Sequence, residues 1–248
     1  MSGEVLILLA AAMVTVAFLY SSVGQAGASG YVALLSFTQL APTQIKPIAL
    51  ALNISVATIS TIQFARSGAF SWRLFLPLAA PAIPAAYLGG FFHAPAPVFN
   101  GLLGTVLIIS AVLLMLKPTA RPPDRAPSLP TSVITGTCLG LLAGATATGG
   151  GVILTPILIF RHWAVPRTAA ATSAPFILIT SSAAMLAAIR EEWRLPTYTW
   201  ILWVAVMVGA LGGSFLGSRV LPQATIRQIL AIVVFIAGGK LLASIVPW

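Results

Sequence analysis

The chain has 248 residues, of which 58% are hydrophobic and only 7% are Asp, Glu, Lys or Arg, and its mean hydropathy is +1.01. A soluble domain carries about 25% charged residues, so this chain lacks the charge to stay dispersed in water and belongs in a lipid bilayer. The formal net charge of +9 does not point to nucleic acid, because the basic residues stand singly or in small groups between apolar runs, as charges flanking membrane spans do.

In chain order, "MSGEVLILLAAAMVTVAFLY" opens without a basic stretch before its apolar run and so reads poorly as a cleavable signal peptide. A span needs roughly 20 apolar residues. The runs 47–65, 73–92, 98–117, 168–189, 197–218 and 225–246 meet that length. Two regions, 4–41 and 131–161, are too long for one span, and each is interrupted by glycines: "GQAGASG" from Gly24 and "GATATGGG" from Gly144. The arms "TSVITGTCLGLLA" and "VILTPILIF" look too short to cross singly, so each region reads as a re-entrant hairpin with glycines at its tip. The proline-rich "KPTARPPDRAPSLP" separates the halves, giving a first repeat at 1–117, a cytoplasmic linker at 118–130 and a second repeat at 131–248. Cys138 is the one cysteine, which excludes an internal disulfide and leaves it as a small packing residue.

The halves resemble each other. "AYLGGFF" (86–92) answers "ALGGSFLG" (210–217), "NGLLGTVLIISAVLLML" (100–116) answers "RQILAIVVFIAGGKLLA" (227–243), and Asn53 falls opposite Ser173. With three full spans after each hairpin, the second half inserts upside down. Arg66, Arg73, Lys117, Arg121, Arg125, Arg161, Arg167, Arg219 and Arg227 then gather on one face, against Lys46, Arg190 and Arg194 on the other. Counting each broken region as a single traversal gives a direct repeat and a weaker split of seven to five. Basic residues concentrate in cytoplasmic loops, so the nine-to-three bias favours an all-α membrane protein of two inverted repeats with both chain ends outside.

Secondary transporters use inverted repeats with broken helices, and a break survives in lipid only where it lines a cavity or meets protein. Each second arm then starts near the midplane, and a helix N-terminus favours an anion. The candidate site is therefore a cradle of Gln25, Gly27, Ser29, Gly30, Thr148, Gly149, Gly150 and Gly151, with Ser29 and Thr148 placed to cap the arms or donate a hydroxyl. Asn53, Thr172 and Ser173 are added as ligands for anion oxygens, ahead of Thr180, Ser181 and Ser182. Small polar residues also mediate helix packing in membranes, which is the competing reading.

"GATATGGGVILTPILI" followed by "VPRTAAATSAP" resembles the signature of the TauE/SafE family of sulfite and organosulfonate exporters, and "QFARSGAFSWRL" (63–74) extends the likeness into the first half. The resemblance implies a multi-pass carrier in a bacterial inner membrane, exporting a small sulfur-containing anion such as sulfite or sulfoacetate. The first half departs from the pattern, with "GASG" for "TGGG" and "LALN" for "AATS", so the site is asymmetric.

All four acids, Glu4, Asp124, Glu191 and Glu192, lie at a terminus or in loops, which leaves no buried carboxylate to relay protons. Lys240 reads as a snorkelling side chain. Export needs no further coupling, because a negative-inside potential drives an anion outward by roughly 2.3 kcal/mol per charge per 100 mV. His93 and His162 stand in separate loops and make no metal site. No cofactor is expected, and self-association into a homo-oligomer stays open. An anion channel on the same repeats, or an importer, is the alternative. An enzyme is disfavoured because no His, Asp or Glu cluster lies within the spans.

Overall fold

In lipid every backbone N–H and C=O needs a partner inside the protein, and an apolar run meets that need by coiling into a helix. The computed structural model describes residues 3–38, 40, 42–92, 96–116, 127–188, 198–220, 222–243 and 245, and among them all regular structure is helical. The helices are α1 (Gly3–Ser22), α2 (Ala28–Leu35), α3 (Pro42–Ala65), α4 (Trp72–Gly90), α5 (Ala96–Met115), α6 (Leu129–Thr146), α7 (Gly151–Phe160), α8 (Pro166–Ala188), α9 (Thr199–Arg219) and α10 (Gln223–Ala243). Most of the linker lies outside the described residues, together with His93, Lys117, Arg121, Asp124, Arg125 and the stretch holding Arg190, Glu191, Glu192, Trp193 and Arg194. The side chains of Arg227 and Lys240 also lie outside them.

Five helices, α1, α3, α6, α8 and α9, are long and apolar enough to cross a membrane. One of these differs from expectation. The first arm of the second broken region is not short: α6 has 18 residues, or about 27 Å of helix, beside the 20 residues of α1. Only the second arms are short, α2 with 8 residues and α7 with 10. At its start α6 is capped by Ser128, whose hydroxyl accepts from the Thr131 N–H at 3.4 Å. It then continues through Gly136, Gly140 and Gly144.

Packing explains how a helix tolerates those glycines. Gly136, Gly140 and Gly144 sit against the carbonyl oxygens of Leu78, Ala82 and Ala86 on α4, where any Cβ would collide. Gly209, Gly213 and Gly217 on α9 sit in the same way against Val14, Phe18 and Ser22 of α1. A glycine inside a helix costs about 1 kcal/mol relative to alanine. Removing the side chain lets two backbones approach, and in lipid that close packing is a main source of helix association. Both series ascend together, so α6 runs parallel to α4 and α9 parallel to α1.

The remaining pairings follow one scheme. α4 packs on α8 as α9 packs on α3, α2 on α3 as α7 on α8, and α2 on α10 as α7 on α5. α3 pairs with α8, and α5 with α10, so these pairings are kept when the first five helices and the last five exchange places, whereas the packing of α2 on α1 has no equally extensive counterpart between α7 and α6. α8 and α3 are the most enclosed of the five candidate spans, at 67% and 50% buried against 39–44% for the others. Around them the surface is apolar: Leu8, Leu88, Ile134, Leu186, Val208 and Ile236 each expose more than half their area. The interior instead holds Gln25, Ser29, Asn53, Ser60, Thr172, Ser173, Thr180 and Ser181 with no exposure at all. This reverses the pattern of a protein built for water. The chain is a multi-pass membrane protein.

Two cations close helix ends. Lys46, buried near the start of α3, donates to the carbonyls of Gly90 (2.8 Å) and Phe92 (3.1 Å) at the end of α4. Arg167, near the start of α8, reaches the Ser218 carbonyl at the end of α9 at 3.5 Å. Each meets the partial negative charge of a helix C-terminus. Lys46 is thus a buried cap rather than a charge flanking a span from a loop.

A pair of substitutions tests the packing. Gly213→Ala places a methyl group into the Phe18 carbonyl and should cost about 1–3 kcal/mol of unfolding free energy in mixed micelles. Gly239→Ala in α10 meets nothing within 4 Å and should gain up to about 1 kcal/mol. Equal effects from the two would show that the glycines do not set the helix spacing.

Candidate functional site

Both broken regions turn through left-handed backbone. Gly24 (φ +74°) and Gly27 (φ +91°) stand three residues apart in the first turn, and Ala147 (φ +57°) and Gly150 (φ +70°) stand three apart in the second. Left-handed backbone costs a residue with a Cβ about 1–2 kcal/mol, which accounts for the glycines. After the first turn the chain doubles back: the hydroxyls of Tyr20 and Ser29 share a hydrogen bond of 2.8 Å, and Gly30 lies against Val16.

The turns meet at Asn53, the twelfth of the 24 residues of α3. Its Oδ1 accepts the Ala28 N–H, the first of α2, at 3.0 Å. Its Nδ2 donates to Ser181 Oγ on α8 at 2.7 Å, and it lies so close to Gly149 that a Cβ there would fall 2.7 Å from it. One buried amide therefore touches the N-terminus of α2 and the turn ahead of α7.

Neighbouring hydroxyls attend to the carbonyls that the turns leave over. Ser60 on α3 donates to the Gln25 carbonyl over a long 3.5 Å. Thr180 on α8 lies 3.0 Å from the Gly149 carbonyl and 2.7 Å from that of Phe176, so one proton serves both. Ser60 and Thr180 are 120 residues apart and hold similarly placed, not equivalent, carbonyls, two residues and one residue ahead of the N-caps Gly27 and Gly150 respectively.

The expected capping roles do not hold. The N-cap residues are Gly27 and Gly150, neither with a side-chain cap. Ser29 instead meets Tyr20, and Thr148 pairs with Thr146 at 2.8 Å. Both arms therefore begin with N–H groups that precede the first intrahelical bond. In the first arm the Ala28 N–H is taken by Asn53, and the Tyr31 N–H bonds to the Gly27 carbonyl.

The other expected residues divide into two kinds. A Cβ on Gly30 would strike Val16, one on Gly150 would meet Leu139 and Ala143, and one on Gly151 would strike Ile177, so the missing side chains there make room for helix packing. Gly27 abuts the Tyr31 phenol. The Ser173 hydroxyl accepts from Thr155 at 2.9 Å. Gln25 and Thr172 are fully buried, and their side-chain polar atoms have no hydrogen-bond partner. Sequence reasoning did not single out Tyr20, Tyr31 or Ser60, and it placed Thr180 and Ser181, which bond at the turns, behind Thr172 and Ser173. The tyrosines flanking "GQAGASG" and the 120-residue spacing of Ser60 and Thr180 were the available signals.

Lys46 is the only buried charged side chain among the described residues, and its ammonium is occupied at the end of α4. The point where the turns meet is polar and uncharged. Over residues 8–241 the sequence matches the family described as sulfite exporter TauE/SafE. The chain belongs to the TauE/SafE family. It is also 38% identical over 240 residues to the probable membrane transporter protein y4hK of Sinorhizobium fredii, covering 94% of this chain and 97% of that protein. No solved structure matches it. TauE/SafE proteins are transporters, not enzymes, and the uncharged meeting point suits binding better than acid–base chemistry.

In this TauE/SafE chain, Asn53→Leu keeps the side chain's size while stranding the Ala28 N–H and the Ser181 hydroxyl. Each stranded buried group costs about 1–3 kcal/mol, so unfolding in mixed micelles should show a loss of about 2–4 kcal/mol. Ser110→Ala removes a hydroxyl bonded only within its own helix, to Val106 O, and should cost about 1 kcal/mol or less.

Proposed function

We propose that this chain is a secondary carrier of a small anion, working by alternating access between two inverted repeats in a bacterial inner membrane, and that it exports sulfite or an organosulfonate such as sulfoacetate. The observation that carries the reading is the double contact of Asn53, which brings the N-terminus of α2 and the Gly149 turn to one buried point. Free N–H groups at helix starts attract anions, and Gln25 and Thr172 leave buried polar atoms unpartnered, as a vacant polar site would. The family's sulfite-exporter description supports a sulfur oxyanion.

Inversion of the repeats draws support from helix direction. α6 runs parallel to α4, and Gly90 at the end of α4 lies against Ala184 and Ala187 at the end of α8. Arg167 at the start of α8 reaches the end of α9, so α8 opposes α9, and α9 runs parallel to α1. α1 and α6 therefore point in opposite directions. On that frame Arg66, Arg73, Arg161, Arg167 and Arg219 share one end of the molecule, which is the cytoplasmic end by the positive-inside rule.

Counterflow in proteoliposomes tests the carrier. Vesicles loaded with unlabelled sulfite should accumulate labelled sulfite transiently, at a rate that saturates; flux rising linearly with concentration would establish a channel instead. Thr172→Val tests the site. It removes an unpartnered hydroxyl, so the melting temperature without ligand should hold or rise. Affinity for sulfite should fall about tenfold, equivalent to about 1.4 kcal/mol. Unchanged affinity would exclude Thr172 from the site.

A further inference from the structure

Both turns hold satisfied pairs, Tyr20–Ser29 and Ala28–Asn53 at the first among them, and Thr172 on α8 leaves one hydroxyl bare, but most of the orphaned atoms near the turns belong to the first. Around the second, Thr148 pairs with Thr146, Ser173 with Thr155, Asn53 with Ser181, and Thr180 with the Gly149 carbonyl. Around the first, Gln25 has its backbone secured at both ends, N–H to the Tyr20 carbonyl at 3.0 Å and C=O from Ser60, yet neither Nε2 nor Oε1 finds a partner. The Tyr31 hydroxyl, fully buried in the first turn of α2, is unpartnered too, and it lies 2.9 Å from where a Cβ on the N-cap residue Gly27 would stand. Three orphaned polar atoms thus belong to one five-residue turn and the helix start that follows it. A folded interior rarely keeps such groups bare, and a fixed backbone beneath an unpaired side chain marks that side chain as reserved for something else.

Resting on the anion-carrier reading and narrowing its ligand to sulfite rather than an organosulfonate, we infer that the ligand's polar groups are held at the first turn by Gln25 and Tyr31, and that the species taken is an oxyanion still carrying one proton. The donor and acceptor inventory sets this chemistry. Gln25 offers two N–H donors and one carbonyl acceptor, and Tyr31 offers one hydroxyl. A fully ionised oxyanion only accepts, so it satisfies Nε2 and the phenol and leaves Oε1 bare. An oxyanion with an O–H satisfies all three. Charge argues the same way: the one buried cation among the described residues, Lys46, is engaged with Gly90 and Phe92, so among those residues no free buried positive charge offsets a second negative one.

The test is ligand binding by the whole protein in nanodiscs, one pH unit below and one above the ionisation of the second proton of sulfurous acid. Sulfite is the probe, and methanesulfonate, whose charge is constant over that range, reports any effect of pH on the protein itself. Wild-type affinity for total sulfite should fall roughly tenfold between the two conditions, following the protonated fraction, while methanesulfonate binding stays level. Gln25→Met, which removes only unpartnered atoms, should keep the melting temperature, weaken sulfite binding at least tenfold and abolish its pH preference; Tyr31→Phe should weaken binding likewise. Equal sulfite affinity at both pH values, or a fall shared with methanesulfonate, overturns the protonated-ligand assignment. Retained affinity in Gln25→Met, with affinity lost in Thr148→Val, places the ligand at the second turn and overturns the inference while leaving the carrier reading standing. Failure of the wild type to bind either anion removes the reading on which both rest.

Discussion

A single side-chain amide holds the middle of this protein together. A helix that stops inside lipid leaves backbone groups that no water can reach, each worth several kcal/mol if unpaired. Asn53 takes the first N–H of α2 on one side and Ser181 on the other, from the midpoint of a deeply enclosed helix. An apolar residue there would leave both partners stranded, and a charged one would need a counter-ion that the interior lacks. The amide carries a donor and an acceptor on one short side chain, which is what a junction between two chain breaks requires. The glycine turns persist because α3 and α8 are rigid enough to hold this junction.

That rigidity comes from glycine seams rather than from a conventional apolar core. Lipid tails are as apolar as leucine, so burying hydrophobic surface does little to drive these helices together. Close backbone approach does more, and the two seams on α6 and α9 lock α4 and α1 in parallel register through three contacts each. The cations at Lys46 and Arg167 then close opposite helix ends, one buried and bonded to two carbonyls, the other exposed and at the limit of hydrogen-bond distance. The two halves share a plan and differ in how tightly each part of it is executed.

Much of this was legible in the sequence. Low charge pointed to the membrane and the glycine clusters to the breaks, while the helix pairings themselves came only from the fold. The length of α6 was not legible, because its glycines look like helix breakers until α4 is placed against them. Nor were the roles of Ser60 and Thr180. A hydroxyl in an apolar helix usually bonds back to its own carbonyls, as Ser55, Thr58, Ser110, Ser182 and Ser214 do here. Nothing local separates those from the two that reach a neighbouring turn. Asn53 stood out through the repeat, as the counterpart of Ser173, but a one-dimensional offset gives no contact partner, and the fold supplies Ser181.

The lack of charge where the turns meet bears on how a carrier works. A fixed positive charge would bind an anion tightly and release it slowly, whereas transport needs a site that lets go on both faces. Neutral donors and helix N-termini, equivalent together to about half a charge at each helix start, bind weakly enough to release. Under the proposed carrier reading they would also leave the ligand's own charge uncompensated, so that the complex would feel the membrane potential as it crosses. Placing lysine or arginine at Thr172 or Gln25 would improve capture at the expense of release and remove the electrical drive. On the proposed reading, the neutrality of the meeting point and the lack of a buried carboxylate among the described residues are two sides of one arrangement, in which the substrate would bring the charge that moves it.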